Sequence, residues 1–245
     1  MIKVDTVYQK VLALANKEQR GYITPQDFNL FANQAQMEIF EQYFYDINLA
    51  RKSPGNDTVY ADVDDMLEEK IQIFELVDGK TAVSAYIGAG LGGINKRLPD
   101  YIYRVHRVEL DNIDCEILNT KDFNACKSGG PLLRPNKYRP IVNIRGNIMR
   151  CVSSDPNTGK PISVTPTGVF YFKIPEKVNW TYVVVNKQAL YDANSTTMDF
   201  ELHPSEENTL INKILRLAGL SNQQQDVMRA GQGMEVSTAQ QQPKI

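Results

Sequence analysis

The amino-acid sequence predicts an α+β fold, in which N-terminal helices and a C-terminal helix form a helical bundle and an antiparallel β region is inserted between them. In residues 1–80, apolar side chains recur every three or four positions, which is typical of amphipathic helices. In 81–202 the pattern changes to alternation with period two, which indicates strands. A helical pattern returns at 203–220. We expect this helix to pack on the N-terminal helices and the polar tail, 221–245, to become ordered only against a partner.

The first helix is predicted by an apolar stripe, and its members are Val4, Val7, Tyr8, Val11, Leu12, Leu14 and Ala15. Residues 18–22, which include a glycine, interrupt the stripe. A second helix should start at once, because Thr24 can act as its N-cap, Pro25 fits the first helical position and Asp27 occupies the capping-box position.

The second helix is expected to run to about Leu49 and carries many aromatic residues. Their number exceeds what a single core stripe requires. We interpret it as a helix that packs against its own domain and against a neighbouring subunit, and a deeply buried central helix is the alternative. The predicted interface residues on this face are Phe28, Phe31, Phe40, Tyr43 and Phe44.

A third helix is expected over 62–76, with acidic residues at its start, where the helix dipole favours them. Its end is ambiguous, because Ile71, Ile73 and Leu76 also alternate as in a strand. Strands are predicted at 101–110, 114–118, 139–144, 147–152, 168–174 and 180–185. Turns are predicted at 145–147 and 154–159. We expect antiparallel pairing, because no helices lie between these strands in the pattern.

The closing helix should begin at Pro204 and end at Gly219, since glycine is a common helix terminator. Its predicted apolar face consists of Leu210, Ile211, Ile214, Leu215 and Ala218. In the polar tail that follows, the predicted partner contacts are Gln223, Val227 and Met228.

Charge and cysteine content favour some protein classes over others. The 245 residues include 27 basic and 29 acidic ones, so the chain lacks the basic excess of a typical nucleic-acid-binding domain. The three cysteines, Cys115, Cys126 and Cys151, are odd in number and widely spaced. They are expected to be reduced thiols in a cytosolic setting. With no signal sequence and no apolar run near the roughly 20 residues that span a bilayer, no membrane association is expected.

No motif in the sequence predicts catalysis, a cofactor or a metal. Gly88, Gly90 and Gly93 fit the dinucleotide pattern G-x-G-x-x-G after a strand-like stretch at 81–87. That site needs a helix opening at the third glycine, whereas Pro99 and a strand follow closely. We interpret it as a flexible loop. His106 and His203 have no ligand at metal-binding spacing, and the cysteines form no C-x-x-C pair.

Basic residues gather in the middle third of the chain, and the candidates for facing a DNA channel or a partner are Arg104, Arg107, Arg139 and Arg145. If they share one face, they could contact DNA phosphates without reading the base sequence. The alternative is a set of scattered surface charges.

The two ends of the chain resemble a known family. Residues 7–29, VYQKVLALANKEQRGYITPQDFN, resemble the opening of virion structural proteins from short-tailed phages, particularly the crAss-like group. Residues 200–210, FELHPSEENTL, together with 217–220, LAGL, resemble the closing helix of the same proteins. The middle of the chain has no matching motif.

This resemblance implies a ring or adaptor protein below the portal, at the head–tail junction of a tailed phage and assembled in the host cytoplasm. It implies about twelve copies around the DNA channel, with contacts to the portal and to other tail ring or hub proteins. The basic residues named above would add non-specific contact with packaged DNA if they share one face. The family has no catalytic signature. Another tail-hub or minor virion protein, or an enzyme that binds a nucleotide at the glycine loop, are the alternatives.

Overall fold

The computed structural model describes residues 1–17, 23–52, 58–86, 88–89, 95–130, 132–155, 158–186, 188–192 and 196–221. The chain is a mixed α+β protein and divides into two compact units. The terminal unit comprises 1–73 and 175–245, and the inserted unit comprises 74–174. The inserted unit therefore starts earlier and ends earlier than the predicted β region, 81–202. No helix in the described ranges is long and apolar enough to cross a membrane.

The helices are α1 (Val4–Lys17), α2 (Pro25–Lys52), α3 (Thr58–Gln72), α4 (Lys80–Ala85), α5 (Thr120–Ser128) and α6 (Glu207–Ser221), with a 3-10 turn at Pro204–Glu206. The strands are β1 (Glu75–Gly79), β2 (Gly88–Ala89), β3 (Asn95–Arg97), β4 (Ile102–Leu110), β5 (Ile113–Asp114), β6 (Glu116–Ile117), β7 (Ile141–Arg145), β8 (Ile148–Ser154), β9 (Pro161–Val164), β10 (Gly168–Lys173), β11 (Tyr182–Val185) and β12 (Gln188–Tyr191).

In the terminal unit, α2 contacts both α3 and α6, and α1 contacts α6. The predicted apolar stripes of α1 and α6 contribute Val4, Val7, Val11, Leu210 and Ile214 to its core. Other fully or almost fully buried members are Phe28, Ile39, Phe40, Phe200 and Leu202. The two chain ends also meet through the backbone, because Ile2 and Phe200 form an antiparallel bridge. Residues far apart in sequence therefore share one core.

The predicted start of α2 is confirmed by its hydrogen bonds. The backbone N–H of Asp27 donates to Thr24 Oγ1 at 3.2 Å, and the Thr24 hydroxyl donates to Asp27 Oδ2 at 2.6 Å. The predicted end of α6 at Gly219 is wrong, because the helix continues to Ser221. Leu217, Ala218 and Gly219 are buried, so tertiary packing outweighs the helix-terminating preference of glycine.

Burial corrects part of the predicted interface on α2. Phe28, Phe40 and Tyr43 are 0%, 0% and 4% exposed, so they belong to the core of their own unit. Phe31 and Phe44 are half-buried. For the three buried rings, the alternative of a central buried helix describes α2 better.

The first sheet of the inserted unit is antiparallel and has the strand order β1-β10-β4-β5. The predicted third helix stops before it, because residues 75–79 form β1 against β10. Strand alternation therefore describes Leu76 better than the helical pattern. The buried face of this sheet carries Val108, Val169 and Tyr171. The β4–β5 turn places Asp111 and Asn112 at φ 50° and 64°.

The second sheet has the order β2-β3-β8-β7-β6, with β9 also paired to β8. The predicted turns at 145–147 and 154–159 are confirmed as the β7–β8 and β8–β9 connections, and Gly146 and Gly159 adopt φ 57° and 63°. The prediction of purely antiparallel pairing is wrong. β6 and β7 are parallel, and α5, which the sequence pattern did not reveal, lies between them in the chain. A parallel pair requires such a crossover.

Candidate functional site

The hairpin formed by β11 and β12, in the terminal unit, exposes apolar side chains on both of its faces, with Val183, Val185 and Leu190 on one face and Val184 on the other. Its exposed fractions are 50% at Val183, 63% at Val184, 46% at Val185 and 51% at Leu190. No other strand pairs with either of them in the part of the chain that the structure describes. An isolated two-stranded sheet is marginally stable in water, and clustered exposed apolar residues often mark contact sites. We call residues 182–191 the valine hairpin.

The base of the valine hairpin is packed around Trp180, which is 1% exposed. Its indole ring lies 5.7 Å from the ring of Tyr182 and 5.9 Å from that of Tyr191, and both pairs are stacked. On α1, Tyr8 packs 4.1 Å from the indole, and Asp5 Oδ1 accepts a hydrogen bond from Trp180 Nε1 at 3.0 Å. The exposed strands therefore start from a fixed position.

Three amide side chains of α2 hold the segment that leads into the hairpin. Asn29 accepts from the backbone N–H of Trp180 at 2.8 Å and donates to its carbonyl at 3.2 Å. Asn33 does the same for Val178, at 2.8 and 2.9 Å. Gln36 donates to the carbonyl of Glu176 at 2.8 Å. We call these three residues the amide ladder.

The amide ladder works because helix and strand spacings match. Four helical residues rise about 6.0 Å, and two strand residues rise about 6.6 Å. Asn29 and Asn33 therefore face alternate residues of the extended segment. The step from Asn33 to Gln36 is shorter, about 4.5 Å, and glutamine has one more methylene group with which to reach Glu176.

The innermost amide also ties in the chain that leads to α6. Gln36 is 2% exposed, and its Oε1 accepts from the backbone N–H of Glu201 at 3.3 Å. The Glu201 carboxylate in turn accepts from the N–H of Glu176 at 2.9 Å. Sequence reasoning missed this network. The available signal was the set of amide residues at 29, 33 and 36, which recur at helical spacing beside the apolar and aromatic face of the helix.

Two of the predicted basic residues, Arg104 and Arg107, lie on β4 in the first sheet, and the other two, Arg139 and Arg145, lie next to and in β7 of the second sheet. Arg107 pairs with Glu109 and with Asp114, the latter at 2.7 Å, and Arg139 pairs with Glu116 at 2.8 Å. Arg139 precedes β7 and Arg145 ends it, so their backbones lie roughly 20 Å apart at the strand rise. Arg104 and Arg145 are exposed. Two of the four arginines that are candidates for phosphate contact therefore form ion pairs with carboxylates of the same chain.

The glycine motif at 88–93 does not have the structure of a dinucleotide-binding site in its described residues. Gly88 lies in β2, which pairs with β3 at 95–97, so a strand occupies the place of the helix that a dinucleotide site needs. The stretch before it forms α4 rather than the expected strand. Gly90 and Gly93 fall outside the described residues, as do the tail residues Gln223, Val227 and Met228.

The histidines and cysteines are also accounted for by local contacts. His106 stacks on Phe172 with the ring centroids 4.9 Å apart, and His203 Nδ1 accepts from the N–H of Ser205 at 3.3 Å. Cys115 and Cys151 are buried in one apolar cluster. Within the described ranges, no group of three or more His, Cys, Asp or Glu side chains is placed to hold a metal ion.

Comparison with protein-family models finds no match, and no curated protein matches the chain at a significant level. The function therefore has to be inferred from the chain's own residues and surfaces.

Proposed function

We propose that this protein is a non-enzymatic structural subunit of a tailed-phage virion, which forms a ring below the portal, joins the portal to the tail and encloses the DNA channel. The observation that carries the proposal is the valine hairpin, which is anchored at Trp180 and exposes Val183, Val184 and Leu190. In a ring, an apolar surface of this kind is covered by the next copy of the same chain.

Because the base of the valine hairpin is anchored, a role as a contact element in an assembly suits the hairpin better than a role as a flexible loop. A pre-positioned contact element loses little conformational entropy when it binds. The amide ladder holds the segment before the hairpin through hydrogen bonds, and Trp180 holds the base of the hairpin through ring stacking. In the proposed ring, α1, α2, α3 and α6 form the helical bundle that carries this element, and half-buried Phe31 and Phe44 extend the apolar contact.

The proposed partners are further copies of the chain, the portal protein and other tail ring or hub proteins. The segment from 221 onward, through Gln223, Val227 and Met228, would reach the portal. Contact with packaged DNA would be non-specific and would fall to Arg104 and Arg145, since carboxylates already pair with Arg107 and Arg139.

Co-expression with the portal protein of the same phage, followed by electron microscopy, tests the proposal. We expect a ring of about twelve copies on the portal, and the same density in intact virions. A virion map that traces the chain in another tail or capsid position would favour a tail-hub or minor capsid protein instead. A nucleotide that raises the melting temperature of the purified protein would favour an enzyme.

A further inference from the structure

The inserted unit contains a cleft of about 560 Å³ beside α4 and β1. Its wall is largely apolar, with Ala82 and Ala85 from α4 and Leu98 and Pro99 from the segment after β3, and Tyr101 borders it. A volume in this range suits a small-molecule or side-chain binding site.

Asp78 lies in the cleft and accepts hydrogen bonds from three tyrosine hydroxyls. Tyr86 and Tyr101 donate to its Oδ2 at 2.5 and 3.3 Å, and Tyr171 donates to Oδ1 at 3.3 Å. A carboxylate has about four acceptor positions. One position, on Oδ1, therefore stays available to a further donor.

The negative charge of Asp78 has no cationic partner in the described part of the chain. Salt bridges are formed by other carboxylates, and none joins Asp78 to a lysine, arginine or histidine within 4.0 Å. Asp100 adds a second carboxylate to the same cleft, and Arg97 at its edge pairs with neither. The formal charge of the lining residues is consequently −1, from two acids and one arginine.

The tyrosines keep their protons in this setting. Burial, and then the hydrogen bond and charge of Asp78, raise the pKa of Tyr86 above its usual range. Burial and the Asp78 charge likewise raise the pKa of Tyr171. At neutral pH all three hydroxyls are donors, so they fix the orientation of the carboxylate before any ligand arrives.

We propose that this cleft binds the arginine side chain of a partner protein, with the guanidinium group donating to Asp78 and lying against Tyr101. The Tyr101 side chain is 49% exposed and provides an accessible aromatic ring. A planar guanidinium can donate in its own plane and stack through its face, which a compact ammonium cannot do. Asp100 is a second acceptor on the same cleft.

Other ligand classes fit the lining less well. An anion would meet two carboxylates and a single arginine. A hard metal ion would require several oxygen ligands, and nowhere in the described ranges is a group of three or more His, Cys, Asp or Glu side chains placed to supply them. The binding site does not depend on the assembly proposed above, so a negative result here would leave that proposal untouched.

A titration of the full chain with Nα-acetyl-arginine amide, followed by NMR of ring-labelled tyrosines, tests the site. We expect saturable shifts of the Tyr86, Tyr101 and Tyr171 signals, and at least tenfold weaker binding in Asp78→Asn. The neutral isostere Nα-acetyl-citrulline amide should produce no saturable shift. Equal responses to the arginine and citrulline derivatives, or to arginine and lysine derivatives, would overturn the assignment.

A second variant keeps the test informative if Asp78→Asn unfolds. Ala85→Arg puts a guanidinium into the cleft from α4, and it should abolish binding of the probe while the tyrosine network stays in place. Thr81→Arg is the matched control, because Thr81 is exposed on the same helix and does not line the cleft. Unchanged probe binding in Ala85→Arg would contradict the proposed location.

Discussion

The side-chain amide of Asn33 satisfies both backbone hydrogen-bonding groups of Val178, although the two residues are 145 positions apart in the chain. In a sheet, a neighbouring strand would supply these two bonds. Here a helix supplies them, so the extended segment before the valine hairpin is held without a strand partner. This arrangement connects the amino-acid pattern of α2 to the position of the exposed valines.

Replacing Asn33 with alanine should destabilise the protein. The change leaves the N–H and the carbonyl of Val178 without their partner, and each unsatisfied group costs about 1–3 kcal/mol. We expect a loss of about 2 kcal/mol in the free energy of unfolding, measured by urea denaturation. Gln34→Ala is the control, because Gln34 is exposed and bonds only to Glu38 at 3.2 Å. Equal losses in both variants would contradict the role of the ladder.

Local pattern was sufficient to predict α1, α2 and most strands. The apolar stripe and the Thr24 cap fixed the first two helices, and period-two alternation fixed β4 and β10. The pattern failed where packing decides. Gly219 stays helical because its neighbours are buried, and α5 is short and polar, with Phe123 as its one buried apolar side chain. One anchor residue produces no visible periodicity.

A charged substitution in the valine hairpin should leave the isolated protein stable but prevent ring assembly. Val184 is 63% exposed, so Val184→Lys should change the free energy of unfolding by no more than about 0.5 kcal/mol. The same variant should fail to form rings with the portal protein in electron micrographs. Thr158→Lys, on the exposed β8–β9 turn, is a control that should assemble. Complete rings from Val184→Lys would remove the hairpin from the interface.

The candidate site was harder to predict than the fold. Val183–Val185 was recognised as part of a strand, but an apolar strand is usually buried, so the pattern could not show that these side chains are exposed. Conversely, the conspicuous aromatics Phe28, Phe40 and Tyr43 proved to be core residues. The exposure of a side chain depends on which helices and strands pack together in the folded protein. The spacing of apolar residues in the sequence does not show which elements pack together.

The three thiols should differ sharply in reactivity. The hydrogen bond with Cys115, followed by burial, raises the pKa of Cys151 above its usual range, and Cys115 itself is 8% exposed. Cys126 is only half-buried. Because thiolates are the reactive species, a disulfide reagent at pH 8 should modify one thiol rapidly in the folded protein and all three in denaturant. Cys126→Ser should abolish the rapid phase, and a rapid phase that persists would contradict this expectation.

Stability should fall at alkaline pH because of the tyrosines around Asp78. The pKa values of Tyr86 and Tyr171 are raised above the ordinary value of 10.0, so the folded state retains these protons more tightly than the unfolded state. Their contribution is complete below about pH 10 and declines as the pH rises further, by at most about 1.4 kcal/mol per pH unit for each group. Tyr86→Phe should flatten the decline in the unfolding free energy. Tyr138→Phe, at a site 81% exposed, should leave the slope unchanged.

Tyr43 and Tyr86 are both buried, yet removing their hydroxyl groups should have opposite effects. The Tyr43 hydroxyl oxygen has no hydrogen-bond partner among the described residues, whereas the Tyr86 hydroxyl donates to Asp78 at 2.5 Å. A buried polar group without a partner costs about 1–3 kcal/mol. Tyr43→Phe should therefore raise the free energy of unfolding by about 1 kcal/mol, and Tyr86→Phe should lower it by about 1–2 kcal/mol.

Thermal and urea unfolding of the two variants in parallel measure this contrast. Each substitution removes the same oxygen atom and keeps the ring, so the packing change is matched, and Lys70 Nζ can remain 6.0 Å from the ring centroid at position 43. A loss of stability in Tyr43→Phe comparable to that in Tyr86→Phe would mean that the Tyr43 hydroxyl is satisfied in solution. The opposite signs would establish that α2 tolerates an unsatisfied hydroxyl in the core of the terminal unit.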